Sequence, residues 1–174
     1  MMRLTTIGMA LALAVPAHAQ MPMPADPACP AIPAPPPPEL RGWAQRQPLA
    51  AGTRKGGDET PLLMIGQAAD VSLRPAETVF FASQLGKAVA PGDQGGLIAF
   101  RVGLTGTYRV ALGAGAWVDV VRSGKVVTSV AHGHGPACTG IHKTVDFDLA
   151  PGDYLLQLSA AHAPTLPVLI ARLP

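Results

Sequence analysis

Thr144-Val145-Asp146-Phe147-Asp148-Leu149-Ala150-Pro151-Gly152-Asp153-Tyr154-Leu155-Leu156-Gln157-Leu158 reads as two strands joined by a turn. Val145, Phe147 and Leu149 alternate with Thr144, Asp146 and Asp148, so an extended backbone collects the apolar side chains on one side. Pro151-Gly152 then fits the centre of a type II turn, where proline pre-sets φ and glycine tolerates a positive one. Tyr154, Leu156 and Leu158 resume the alternation, and Tyr108, Val110 and Leu112 show it upstream. One buried and one wet face per strand is the pattern of an antiparallel sheet packed on a second sheet.

Working outward, short apolar or alternating runs continue in both directions, punctuated by Gly and Pro. They predict strands over 62–66, 69–74, 77–82, 96–103, 106–112, 116–122, 125–131, 143–149, 153–160 and 165–172. Arg122-Ser123-Gly124-Lys125 places a hairpin turn between two valine-rich runs, and Leu104-Thr105-Gly106-Thr107 is a further turn. No helical periodicity of useful length follows residue 61. So many short strands suit an all-β fold, an antiparallel β-sandwich or jelly-roll-like single domain over residues 61–174.

Upstream the composition changes. Met1-Met2-Arg3 is a short positive start, and Ile7 to Val15 is an uncharged apolar run. Pro16 and then Ala17-His18-Ala19 complete the order of a secretory signal peptide over residues 1–19. The run is about half the ~20 residues a bilayer span needs, and no later stretch is long enough, so no transmembrane segment is expected. Residues 20–60 form a Pro-rich arm and an irregular segment, with Pro35-Pro36-Pro37-Pro38 extended and polyproline-like. Two readings fit this arm: a PxxP ligand, or a spacer laid across the domain. Glu39-Leu40-Arg41-Gly42-Trp43-Ala44 has room for a short helical turn, and Gly52 to Asp58 reads as flexible.

Export places the chain in the periplasm or outside the cell. There the only two cysteines, Cys29 and Cys138, read most simply as one disulfide, against free thiols or Cys138 as a metal ligand. Without Arg3, twelve basic residues face eleven acidic ones, and none cluster, so no nucleic-acid partner is expected. The partner is instead an envelope protein or a small ligand.

One segment stands apart: Ala131-His132-Gly133-His134-Gly135-Pro136-Ala137-Cys138-Thr139-Gly140-Ile141-His142. At strand spacing His132 and His134 point to one side, and the loop can return His142 as a third imidazole. Such a set suits Zn, Cu or Fe, with Asp119 or Asp146 as a carboxylate to add. The bland alternative is a Gly/Pro connection, pinned by Cys138, whose histidines sit at the surface. Trp43 and Trp117 are candidates for stacking on a ligand ring, or, for Trp117, for closing one end of the core. No Gly-x-Ser-x-Gly, phosphate-binding Gly-rich loop or His-Glu-x-x-His is present, so no residue is assigned as catalytic. Asp146 and Asp148 read as solubilising residues of a wet face. A non-enzymatic binding protein is the expectation, with a metal-binding protein or small metal-dependent oxygenase as the alternative.

Gly106 to Gly113, Ala116 to Val121 and Ala131 to Cys138 together carry a resemblance. The chain resembles a group of small exported alphaproteobacterial proteins that often bear the label homogentisate 1,2-dioxygenase. The resemblance covers most of the chain after residue 28. It implies non-haem iron and oxygenative opening of an aromatic ring, with His132-Gly133-His134 in the place of a cupin His-x-His. No glutamate follows Glu77 to complete a two-histidine, one-glutamate site, and Val126 stands where the cupin pattern has glycine. The turn Leu149 to Tyr154 also resembles that of secreted sandwich domains appended to bacterial peptidases, which bind or assist.

Overall fold

A computed structural model describes residues 29–30, 32–56 and 60–174; residues 1–19, read above as a signal peptide, and the start of the arm lie outside them. The strands are β1 (Arg46–Ala50), β2 (Ala68–Ser72), β3 (Arg74–Pro75), β4 (Gln94–Val102), β5 (Gly106–Leu112), β6 (Trp117–Arg122), β7 (Lys125–Val127), β8 (Ala131–His134), β9 (Lys143–Leu149), β10 (Gly152–Ala161) and β11 (Thr165–Arg172). Two 3-10 helices, Pro38–Ala44 and Ala76–Thr78, complete the regular structure. One sheet, here sheet A, has the order β1-β2-β11-β5-β9-β8, and the other, sheet B, has β3-β4-β10-β6-β7. The order β2-β11-β5-β9 facing β4-β10-β6-β7 is the double Greek key of a jelly roll. The protein is an all-β sandwich.

The core follows the alternation. Tyr108, Val110, Leu112, Val145, Phe147 and Leu149 of sheet A meet Phe100, Val120, Tyr154, Leu156 and Leu158 of sheet B. Two strands open on the same Gly-x-Tyr triplet, Gly106-Thr107-Tyr108 and Gly152-Asp153-Tyr154. In each, the tyrosine hydroxyl donates to the carbonyl four residues back, Tyr108 to Leu104 at 2.7 Å and Tyr154 to Ala150 at 2.8 Å. Each phenol thus buries its ring and ties down the turn that precedes its strand. The Ser123-Gly124 turn is the expected two-residue hairpin, with Arg122 opposite Lys125 and positive φ at both central residues (50° and 79°).

Five expectations change. The run 69–74 is not one strand: β2 pairs with β11 in sheet A and β3 pairs with β4 in sheet B. The run 125–131 is not one strand: β7 pairs with β6 in sheet B, β8 pairs with β9 in sheet A, and Thr128–Val130 crosses between them. Residues 62–66 form no strand; Leu62 makes one bridge to Ala99 at the edge of β4, and Leu63 fills the core. Residues 77–82 run as a 3-10 turn and an extended strap, because they cross a sheet face rather than join its ladder. Residues 46–50, within the segment read as irregular, pair in parallel with β2.

The faces expected to be wet are partly roofed. On sheet A, Leu40 and Trp43 of the first 3-10 helix cover Leu169 and the alanines 68, 111 and 171, whose small side chains leave room for the indole. On sheet B the strap 79–87 is held by buried polar groups. Gln157 Oε1 accepts from the Ser83 amide at 2.9 Å, and Asp119 Oδ2 accepts from the Gly86 amide at 3.2 Å. Buried side chains from a nominally solvent face thereby find their hydrogen-bond partners in the strap's backbone.

Candidate functional site

Cys29 and Cys138 are joined, with 5.3 Å between their Cα atoms and 109 residues of separation. The Ala34 amide donates to the Cys138 carbonyl at 2.8 Å, so the arm is fastened twice to the connection between β8 and β9. Cys138 (φ 60°) and Gly140 (φ 77°) turn that connection sharply, and Thr139 Oγ1 donates to the Pro136 carbonyl at 2.7 Å. As half of a disulfide, Cys138 offers no thiolate to a metal.

His132 and His134 occupy β8, exposed along its whole length, and His142 is exposed just before β9. The His134 and His142 rings meet edge to face with centroids 6.1 Å apart. Among the described residues no three His, Cys, Asp or Glu side chains are grouped to hold one ion. The candidate carboxylates are engaged elsewhere. Asp119 takes the Trp117 indole N–H at 2.9 Å as well as the Gly86 amide. Asp146, read as a solubilising residue, is buried. It receives both Nε (2.8 Å) and Nη2 (2.7 Å) of Arg109, and this bonding holds the guanidinium above its usual pKa. The donor set therefore does not fit the two-histidine, one-glutamate iron site that the resemblance implies.

Trp43 is 3% exposed and part of the roof on sheet A, so its face is not offered to a ligand. Trp117 is half-buried at the end of β6. A Cβ on Gly86 would stand 2.6 Å from its Nε1, and the Lys143 ammonium lies 5.5 Å from its ring centroid. Its partners leave it as the wall of two hollows rather than a free stacking platform.

The first hollow, about 200 Å³, is lined by Trp117, Val118, Ser129, His132, Lys143 and Val145, next to β8. The second, about 440 Å³, lies on the other side of Trp117 and Lys143 and reaches Lys87 and His162. Lys143 is the residue that sequence reasoning missed. Its signal was parity: Lys143, Val145, Phe147 and Leu149 share the inward face, so the strand begins with an inward-facing ammonium. That group crosses to the other sheet and donates to the Ala116 carbonyl at 2.8 Å. Burial, with the nearby Lys87 charge, pushes its pKa down.

Comparison of the chain with protein-family models and with curated proteins finds no match. No helix among the described residues is long and apolar enough to cross a membrane.

Proposed function

We propose that the chain is an exported, non-enzymatic jelly-roll module that binds an extended, acidic segment of an envelope protein by strand addition at β8. The observation that carries this reading is the open edge of β8. The Gly135 amide bonds to the His142 carbonyl and His132 lies opposite Val145, so the alternation of an antiparallel ladder sends the backbone groups of His132 and His134 away from β9. The other edges are blunted: β1 by Pro48, β3 by Pro75 and its two-residue length, β7 by Lys125 and its three-residue length. Strand addition draws affinity from backbone hydrogen bonds and specificity from side-chain pockets. The 200 Å³ hollow beside β8 is such a pocket, and Lys143 and His132 in its lining favour an acidic side chain.

A photo-crosslinking residue at position 132 in the exported chain tests this. A discrete adduct to an envelope protein is expected there, is lost on His134→Pro, and is absent with the crosslinker at Lys125. No adduct at 132, or equal adducts at both positions, overturns the reading. So does iron-dependent ring opening of homogentisate by the purified protein that His132→Ala abolishes. Elemental analysis of untagged protein is expected to give no stoichiometric Zn, Cu or Fe, because two imidazoles without a third donor make a weak site.

A further inference from the structure

We infer that the 440 Å³ hollow between the strap and the end of the sandwich is a second site, which binds a small organic oxyanion through Lys87 and Lys143. It does not rest on strand addition at β8. Lys87, Ala116, Trp117, Lys143, Ala160 and His162 line it, and no carboxylate is among the lining residues. The nitrogen-bearing side chains converge from different parts of the fold. Lys87 comes from the strap, Lys143 from the start of β9, and His162 from the turn between β10 and β11.

Neither lysine forms an ion pair among the described residues, while His162 Nδ1 sits 3.2 Å from Asp93. Two ammonium groups held near one another without a counter-charge repel, and the one that is half-buried also loses hydration. That cost appears in the lowered pKa of Lys143, to which burial contributes most and Lys87 next. Yet the arrangement is not an accident of two mobile side chains. Lys143 is anchored on the Ala116 carbonyl, which uses one of its three N–H groups and leaves two to offer. Lys87 directly follows Gly86, whose amide is fixed on Asp119.

An oxyanion bridging the two lysines would relieve the repulsion and take charge-assisted hydrogen bonds from both. The volume lies in the range of roughly 300–1,000 Å³ usual for small-molecule clefts, which leaves room for an organic body beside the Trp117 edge. A carboxylate and a phosphate share this chemistry.

The test follows the Trp117 indole N–H resonance of the oxidised chain at constant ionic strength, titrated with inorganic phosphate, citrate, glucuronate and neutral glucose. Saturable shifts are expected with at least one anion and none with glucose. Phosphate alone would assign a phosphate-bearing ligand, and the carboxylates alone a carboxylate. Lys87→Met, on an exposed residue that leaves the fold intact, should weaken binding about tenfold. Lys143→Met should do the same, Lys143→Arg should retain part of it, and Lys55→Met and Lys125→Met should leave it unchanged. Shifts that do not saturate, that glucose reproduces, or that survive Lys87→Met overturn the inference; strand addition at β8 would stand or fall separately on its crosslink.

Discussion

Cys29 is bonded to Cys138, and five residues along the arm the Ala34 amide donates to the carbonyl of that same Cys138. The disulfide therefore does more than close a long loop. It holds the polyproline segment in the position from which Leu40 and Trp43 reach the outer face of sheet A.

Replacing both cysteines by alanine should accordingly lower stability by about 2–5 kcal/mol, the chain-entropy effect of a loop this long setting the upper end. Urea unfolding measures the loss. Because the arm keeps only its hydrogen bonds and the small Leu40–Trp43 cluster, tryptophan emission should shift to the red before the main transition. Coincident transitions would show that the roof on sheet A stays in place without the bond.

Arg109 and Asp146 face each other across β5 and β9 on the side that the alternation marks as wet. With Asp146 only 6% exposed, Asp146→Ala would leave the guanidinium of a half-buried arginine without its acceptor. A loss of about 2–3 kcal/mol is expected by chemical denaturation, the scale of a buried hydrogen bond to a charged group. Arg101 and Asp153 make an ion pair just as short, but both side chains are about three-quarters exposed, and Asp153→Ala should leave stability unchanged.

This pair also marks the limit of what alternation reveals. The inward set Val145, Phe147, Leu149, Tyr154, Leu156 and Leu158 was legible because period two and burial coincide there. The outward set was not, since burial of Asp146, Gln157 and Asp119 depends on segments that return from far along the chain. Gln157 bonds Ser83, 74 residues away, and no local pattern encodes that. Likewise one valine-rich run became β7 and β8, because leaving one sheet for the other is a property of the topology and not of residues 125–131. The histidine segment was legible as distinctive, but not as an edge strand, since its Gly and Pro read as a connection between strands while residues 131–134 pair with β9. Nor was its hollow legible, because Trp117 and Lys143 come from strands of different sheets.

Lys143 gives the stability a defined pH dependence. Its folded pKa lies below the usual 10.5 of the unfolded chain, because burial and Lys87 disfavour the charged form. At pH values below the folded pKa both states are protonated and the folded one carries the full penalty. Between the folded value and 10.5 the unfolded state binds more protons, so stability rises with pH. The wild type should therefore gain on Lys143→Met as pH is raised from 7 toward 10.5, read as the difference between their urea midpoints. The lost bond to the Ala116 carbonyl adds a constant offset, since a neutral amine still donates. A difference that is flat over this range, or that falls, would show that the ammonium is not penalised in the fold.

Gly86 is the point where the strap meets the wall of both hollows. A Cβ there would stand 2.6, 2.8 and 2.9 Å from Nε1, Cζ2 and Cε2 of Trp117, a rigid ring that cannot yield as a flexible chain end would. Trp117 is fixed in turn by Asp119, which binds both its indole N–H and the Gly86 amide. Gly86→Ala must then lift the strap from sheet B or push the indole off Asp119, at a cost of about 1–3 kcal/mol typical of overpacking. Gly115→Ala, in the same lining but with nothing within 4 Å of the added Cβ, is the matched control and should be neutral. Thermal unfolding compares the two, and the Trp117 indole resonance shows which of the two movements occurs. If the strap lifts, Lys87 moves with it and anion binding weakens although both lysines remain. If the indole moves instead, its N–H loses the Asp119 acceptor and its resonance shifts before any anion is added.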